Sequence, residues 1–226
     1  MRAFFQNQTG IYASLSFLPA DGDITNACAV TSYEPPSTDS VKVPLTLLDA
    51  TGRQTFLERL CDPTVTPLAS TCVVPGGGRP TRPALQGTIA YAATVQQMNF
   101  GSKTVVIFLA AGDPGVVYVP SGSSTASVLN SCDDLTNGCP LGPVGPTGTG
   151  ICTSAAAEVA KVTGVIRSAP AKSIYLFALD GLSSITATVW ANGSGNAAVA
   201  MQGMSSSQME STLSTALDSL VATLMQ

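Results

Sequence analysis

The chain alternates between short apolar runs and longer segments whose apolar residues recur at helical spacing. The apolar runs at 11–18, 105–111 and 173–179 predict β-strands. The middle run contains no polar residue, which is typical of a parallel strand covered on both faces. Weaker strands are predicted at 41–48, where Pro44 favours an edge position, and at 197–201.

Helices are predicted between these strands. Apolar residues recur every three or four positions in 53–60, 81–95, 153–166 and 182–191. The last helix is predicted to open with the capping-box pattern Ser207-x-x-Glu210, and its apolar stripe comprises Met209, Leu213, Leu217, Leu220 and Leu224. The Pro- and Gly-rich segments at 62–78 and 112–150 are predicted to be irregular.

Alternating strands and helices predict βα units, which form a mostly parallel sheet with helices on both faces. A chain of 226 residues suits one such unit. We therefore expect a single three-layer α/β/α domain of doubly wound topology over 1–226, with a disulfide-bearing loop insertion at about 113–151. Ligands of such sheets bind beyond the carboxyl ends of the strands.

The composition narrows the class of partner. Charged residues make up 11% of the chain, against about 25% in typical soluble proteins, which favours a secreted or cell-envelope protein. The net charge is −4 and Lys and Arg do not cluster, so we do not expect nucleic acid as a partner. Although the mean hydropathy is +0.30, the longest apolar run is 105–111, so no transmembrane segment is predicted.

Cysteine usage also indicates export. All six cysteines of the chain lie in polar stretches: Cys28, Cys61, Cys72, Cys132, Cys139 and Cys152. The chain contains neither a C-x-x-C motif nor any histidine, so disulfides are favoured over zinc ligation. Six reduced thiols are the alternative. Cys132, Cys139 and Cys152 lie in or next to the long irregular segment, and we expect them to staple it. Residues 1–10 lack the apolar stretch of a secretory signal, so we expect a signal peptide upstream of Met1 and interpret 1–5 as the end of an amphipathic helix.

One succession of motifs carries a family resemblance. The glycine loop and helix start at 76–85 (GGGRPTRPAL) are followed by the strand at 105–111 and then by Gly112-Asp113-Pro114. With FLPA at 17–20, YLFAL at 175–179 and the closing amphipathic helix, the chain resembles the von Willebrand factor type A (VWA) domain family, in its secreted or lipoprotein-like bacterial form. The resemblance covers nearly the whole chain.

The resemblance implies a Rossmann-like sheet whose upper loops bind a protein partner. It also implies that the family's first strand and its Asp-x-Ser-x-Ser motif lie upstream of Met1, so that the domain is N-terminally truncated. It further implies a set of partner-binding loop residues, which comprises Gly77, Gly78, Arg79, Thr81, Arg82, Asp113 and Asp180.

VWA domains hold Mg²⁺ at a metal-ion-dependent adhesion site, and the resemblance implies a degenerate one here. Thr81 matches the loop threonine of that site, but Ala111 stands where the family has an aspartate. Asp113 follows two residues later. Thr81 and Asp113 are thus the remaining metal candidates, and we expect no cofactor unless Mg²⁺ or another divalent cation binds with upstream ligands restored. Thr81 fits a helix N-cap equally well.

Catalysis is not expected. Without histidine the chain can form no Ser-His-Asp or Cys-His arrangement, and no Gly-x-Ser-x-Gly elbow occurs. Asp133-Asp134 reads as a solvated turn, and Asp180 as the N-cap of the helix that follows it.

The leading hypothesis is therefore a non-enzymatic protein-binding or adhesion module, located outside the cell or in the envelope. One alternative is a structural or scaffold component of the cell envelope. A third hypothesis is a hydrolase that uses the strand-end carboxylates Asp113 or Asp180.

Overall fold

The chain is a mixed α/β protein. The computed structural model describes residues 10–18, 27–34, 41–60, 78–99, 102–118, 127–136, 141–142, 145–146, 152–170 and 173–225. The strands are β1 (Tyr12–Ser16), β2 (Val41–Leu47), β3 (Val106–Ala110), β4 (Val116–Tyr118), β5 (Ser127–Leu129), β6 (Leu141–Gly142), β7 (Gly145–Pro146), β8 (Ile174–Ala178) and β9 (Val199–Ala200). The helices are α1 (Ala50–Arg59), α2 (Thr81–Met98), the single turn α3 (Asp133–Thr136), α4 (Ala155–Ser168), α5 (Ser184–Ser194) and α6 (Ser206–Leu224), with a 3₁₀ helix at Val30–Tyr33.

Three strands form a parallel sheet in the order β3–β8–β9. Val106 pairs with Ile174 and Ala110 with Ala178, so β3 and β8 end at the same level. Strands β1 and β2 form a separate antiparallel pair with an irregular register. The prediction of a parallel arrangement for the strands at 105–111, 173–179 and 197–201 is therefore confirmed.

Helices cover both faces of this sheet. On one face, alternate residues of β3 and β8 pack against α2, α4 and α5, and this cluster includes Leu85, Val106, Phe108, Val162, Ile166, Ile174, Leu176 and Trp190. On the other face, Phe177 packs with α1, α6 and the β1–β2 pair, in a cluster that includes Val43, Leu48, Phe56, Met201, Leu213 and Leu217. Alternating strand residues thus serve two apolar cores.

Short polar side chains start the helices. Asp49 caps α1 by accepting a hydrogen bond from Gly52 N at 2.8 Å. Ser154 and Ser183 do the same for α4 and α5. At α6 the capping box is formed by Ser205 and Gln208, so the prediction of Ser207 and Glu210 is wrong by two residues. Ser205 has the extended backbone that an N-cap requires, whereas Ser207 is already helical.

Two further expectations need correction. Segment 112–150 is not uniformly irregular, because β4 pairs with β5 and β6 with β7, and α3 follows β5. Strand β3 is not fully covered, since Ile107 is exposed. The predictions for 1–5, for most of 62–78 and for Cys61, Cys72 and Cys139 concern residues outside the described ranges. No helix in the described ranges has both the length and the apolar character needed to cross a bilayer.

Candidate functional site

The carboxyl ends of β3 and β8 bring two loops together at one edge of the sheet. The loop after β3 begins at Ala111 and the loop after β8 contains Gly181. Gly181 has φ +92°, and a Cβ there would lie 2.7 Å from the carbonyl oxygen of Ala111. Glycine is required on both counts, because the backbone is left-handed and no side chain fits. The two loops therefore lie in direct backbone contact.

Arg79 lies across the loop that follows β3. Its backbone forms an isolated antiparallel bridge with Gly115, whose N–H donates to the Arg79 carbonyl at 3.1 Å. Its Nε donates to the carbonyl oxygen of Asp113 at 2.7 Å. A Cβ at Gly112 would lie 2.6 Å from this Nε, so the guanidinium rests directly on the glycine. Arg79 is thus exposed to solvent yet held in place by three residues of one loop.

The two candidate carboxylates at this edge bind backbone amides. Asp113 Oδ1 accepts a hydrogen bond from Ser183 N at 3.3 Å, just before α5 begins. Asp180 Oδ1 accepts one from Gly203 N at 2.7 Å. Asp180 is therefore not the cap of α5, since Ser183 is the extended residue directly before the helix and accepts from Thr186 N at 3.1 Å. Each carboxylate ties one loop to its neighbour.

Thr81 is buried at the first position of α2. The N-cap is Pro80, not Thr81, and the Thr81 hydroxyl donates to the carbonyl oxygen of Arg79 at 3.2 Å. Of the other loop candidates, Gly78 is described and half-buried, whereas Gly77 lies outside the described residues. Within the described part of the chain, no three His, Cys, Asp or Glu side chains are grouped as a metal site would require.

Arg82 belongs to a different cluster, in which Glu158 is buried while Asp133 and Lys161 are partly exposed. Its side chain is 19% exposed, and its Nε donates to Glu158 Oε1 at 3.0 Å. Its Nη2 donates to Asp133 Oδ1 and, at 3.4 Å, to Ser131 Oγ. Lys161 Nζ donates to the second oxygen of Asp133 at 2.8 Å. Four charged groups therefore join the starts of α2 and α4 to the loop that carries α3.

The expectation of a solvated turn at Asp133-Asp134 is wrong. Asp134 is buried, and its two oxygens accept hydrogen bonds from Ser131 N at 3.2 Å and Thr153 N at 2.7 Å. Asp133 forms ion pairs with Arg82 and Lys161. The pair of aspartates therefore anchors the insertion to the body of the domain.

Electrostatics within this cluster favour the ionised forms of Asp133 and Arg82. The hydrogen bond from Lys161 is the largest cause that lowers the pKa of Asp133; burial opposes it, and Arg82 adds to it. Burial is the largest single influence on the Arg82 pKa and lowers it, but the two carboxylates outweigh burial and raise the pKa. Glu158 is 3% exposed, and its Oε2 has no hydrogen-bond partner among the described residues. Lys161 Nζ lies 3.9 Å from that oxygen.

A disulfide reinforces the same attachment. Cys132 bonds to Cys28, and Cys152 is also disulfide-bonded. The sequence led us to group Cys132 with Cys139 and Cys152 as a staple within the insertion, but Cys132 instead links the insertion to the segment that follows β1. Cys28 and Cys132 are thus disulfide-bonded, as expected for the six cysteines.

Sequence reasoning missed several residues of these sites. Glu158 and Lys161 stand three positions apart on α4, a spacing that signals a surface ion pair rather than a buried link to α2. Ile185 lies two residues after Ser183 and is 76% exposed at the carboxyl edge of the sheet. An exposed isoleucine and a fixed arginine at one edge of the sheet cannot be recognised from sequence, because the two residues are far apart in the chain.

No protein-family model, curated protein sequence or solved structure matches this chain at a significant level. The resemblance to the VWA family therefore depends on sequence motifs alone, and the structure is mixed α/β with a parallel three-stranded sheet.

Proposed function

We propose that this chain is a VWA-like, doubly wound domain that binds a protein partner through the loops at the carboxyl edge of its parallel sheet. Binding is metal-independent and the domain is not an enzyme. One observation carries the proposal. The hydroxyl and carboxylates at this edge, from Thr81, Asp113 and Asp180, hydrogen-bond to the protein's own backbone, whereas Arg79 and Ile185 face solvent.

The arrangement of sheets supports the VWA-like topology. Helices cover both faces of β3–β8–β9, as a doubly wound sheet requires. Among the described strands, the β1–β2 pair shares an apolar cluster with β8 but no strand pairing joins the two sheets. This supports the proposal that the VWA-like sheet is interrupted at its central strand.

The chemistry of the edge supports a binding role. Asp113 and Asp180 each orient a neighbouring loop instead of converging on one point where a substrate would react. The Cys28–Cys132 disulfide supports export, because such bonds persist in oxidising compartments. The partner is accordingly an extracellular or envelope protein.

Site-specific photo-crosslinking tests the binding surface. A photo-reactive side chain at Ile185 is expected to yield an adduct with another protein in the cells that produce this chain. The same group at Lys103, exposed just before the amino end of β3, is the matched control and is expected to yield none. Adducts at both positions, or at Lys103 alone, would contradict a surface confined to the carboxyl edge.

The identity of the adduct separates binding from scaffolding. If the protein cross-linked to Ile185 is a second copy of this chain, the envelope-scaffold hypothesis replaces the proposed one. An adduct with a different protein supports a binding module. The mass of the adduct distinguishes the two outcomes directly.

Calorimetry with Mg²⁺, Mn²⁺ and Ca²⁺ tests metal independence. Hard cations require several oxygen ligands, and the oxygens of Thr81 and Asp113 already participate in backbone hydrogen bonds. No saturable heat is expected from any of the three cations. Saturable heat that disappears in Asp113→Asn would favour a metal-dependent adhesion site instead.

A further inference from the structure

Arg79 differs from an ordinary surface arginine in how it is held. Its Nε is occupied by the carbonyl oxygen of Asp113, and its flat guanidinium rests on Gly112. Among the described residues, none accepts a hydrogen bond from either Nη atom and none forms an ion pair with the group. The two Nη atoms therefore form an unoccupied fork that is fixed before any partner arrives.

We propose that Arg79 is the anchor for a single carboxylate of the protein partner, which it binds through both Nη atoms. This inference rests on the proposed function and adds the chemistry of the partner to it. A guanidinium matches a carboxylate in a bidentate geometry, and charge-assisted hydrogen bonds of this kind are stronger than neutral ones. A fork that is already oriented loses less side-chain entropy on binding.

Neighbouring groups restrict what can carry that carboxylate. Asp180 is exposed at the same edge, so a run of acidic residues would be repelled. Ile185 is 76% exposed, and it is linked to Arg79 through Asp113, which contacts both the guanidinium and the residue that caps α5. This edge therefore suits a partner that carries one carboxylate together with an apolar side chain.

A lone carboxylate is favoured over a phosphate. Phosphate carries more charge and more acceptor oxygens, and proteins meet it with clusters of arginine or with further cations. The other arginine near the start of α2 is Arg82, and its side chain is committed to Glu158 and Asp133. Of the two described arginines at the start of α2, Arg79 is thus the one without an ion-pair partner, which suits a single negative charge.

NMR titration of the oxidised chain with a small probe tests the proposal. The probe is N-acetyl-leucyl-aspartyl amide, which has one carboxylate next to one apolar side chain, and its uncharged match is N-acetyl-leucyl-asparaginyl amide. The Arg79 Nε–H and Gly112 N–H resonances are expected to shift saturably with the aspartyl probe alone. A dissociation constant of about 1–10 mM is expected, because few contacts form.

Three variants separate position from charge. Arg79→Gln is expected to weaken binding by about tenfold, and Arg79→Lys to weaken it too because the fork is lost. Gly112→Ala keeps the arginine but places a Cβ 2.6 Å from its Nε, so the guanidinium must leave its position and binding is expected to fall similarly. Arg167→Gln removes an exposed arginine from the end of α4 and is the control that leaves binding unchanged.

Each outcome decides the matter. Equal shifts with both probes, full binding by Gly112→Ala with an unchanged unfolding midpoint, or tighter binding of inorganic phosphate than of the aspartyl probe would each overturn the proposal. If Ile185 cross-links a partner but the aspartyl probe does not bind, the carboxylate anchor is wrong and the binding function stands. If the probe binds but Ile185 yields no adduct, the proposed function fails while the anion site remains.

Discussion

Replacing Arg82 by methionine is expected to destabilise the fold by about 3–5 kcal/mol, the usual cost of leaving one partner of a buried ion pair alone. The Arg82 side chain is 19% exposed and that of Glu158 3%. Without the guanidinium, Glu158 keeps only Lys161, whose Nζ lies 3.9 Å from an oxygen that already lacks a hydrogen bond among the described residues. Methionine retains an apolar stem of comparable length, so the loss reports on charge rather than volume.

A double-mutant cycle isolates this effect. Glu158→Gln alone is expected to cost about 1–2 kcal/mol, because the amide oxygen still accepts from Arg82 Nε without the charge. Combined with Arg82→Met, it removes the uncompensated carboxylate, so the double variant is expected to be about 1–3 kcal/mol more stable than additivity predicts. Arg167→Met on the exposed end of α4 is the control and is expected to stay within about 0.5 kcal/mol of the unmodified chain.

Urea unfolding of the oxidised protein measures these differences. The chain contains one tryptophan, Trp190, which is fully buried and reports the loss of the core by fluorescence. Exposed ion pairs contribute up to about 1 kcal/mol to stability. If Arg82→Met costs less than that, the cluster is not a buried network. Additive effects of the two single substitutions on the free energy of unfolding would also refute the reasoning, because two contacting groups of one network must couple.

Three other predictions concern the fold. Trp190→Ala is expected to cost about 3–5 kcal/mol, since the fully buried indole is lost from the core, and Trp190→Phe should cost less. Urea unfolding followed by far-UV circular dichroism measures both, because these variants lack the tryptophan reporter. Lys161 is the chief cause of the lowered pKa of Asp133. The stability that this shift contributes is fully present above the ordinary pKa of 3.8 and is lost as the pH falls through the folded-state pKa. Asp133→Asn should therefore make the free energy of unfolding depend less on pH in acid, as urea unfolding at several pH values would show. Joint replacement of Cys28 and Cys132 by alanine is expected to lower the free energy of unfolding by about 4–5 kcal/mol in the chain-entropy model, and an unchanged urea midpoint would contradict that estimate.

The helices and the parallel strands could be predicted because their signals are local. Each signal lies within one element. Strand β3 lies within the apolar run at 105–111, and α2 begins at Thr81, where the helical spacing begins. The start of α6 shows the limit of such patterns. Ser205-x-x-Gln208 and Ser207-x-x-Glu210 satisfy the same capping rule, and only the backbone conformation at Ser205 decides between them.

The charged cluster could not be predicted, because its members are far apart in the chain. Arg82 is 51 residues from Asp133 and 76 from Glu158. In sequence, Arg82 follows a glycine loop and reads as a loop residue, while Asp133 stands between a cysteine and another aspartate and reads as exposed. Both residues have their roles through the ion pair between them, and that ion pair depends on how α2, α4 and the insertion pack.

The Cys28–Cys132 bond also determines how the chain responds to force. A load applied at the two termini passes through the disulfide, so the 104 residues of separation between the cysteines are bypassed. Their extended length is roughly 350 Å, which can be released only after reduction. Strands β2 and β3 and helices α1 and α2 lie within this shielded loop. Stretching in oxidising and reducing buffer should therefore give two extensions that differ by about this length, with the loop between Cys28 and Cys132 bearing no tension while the bond is intact.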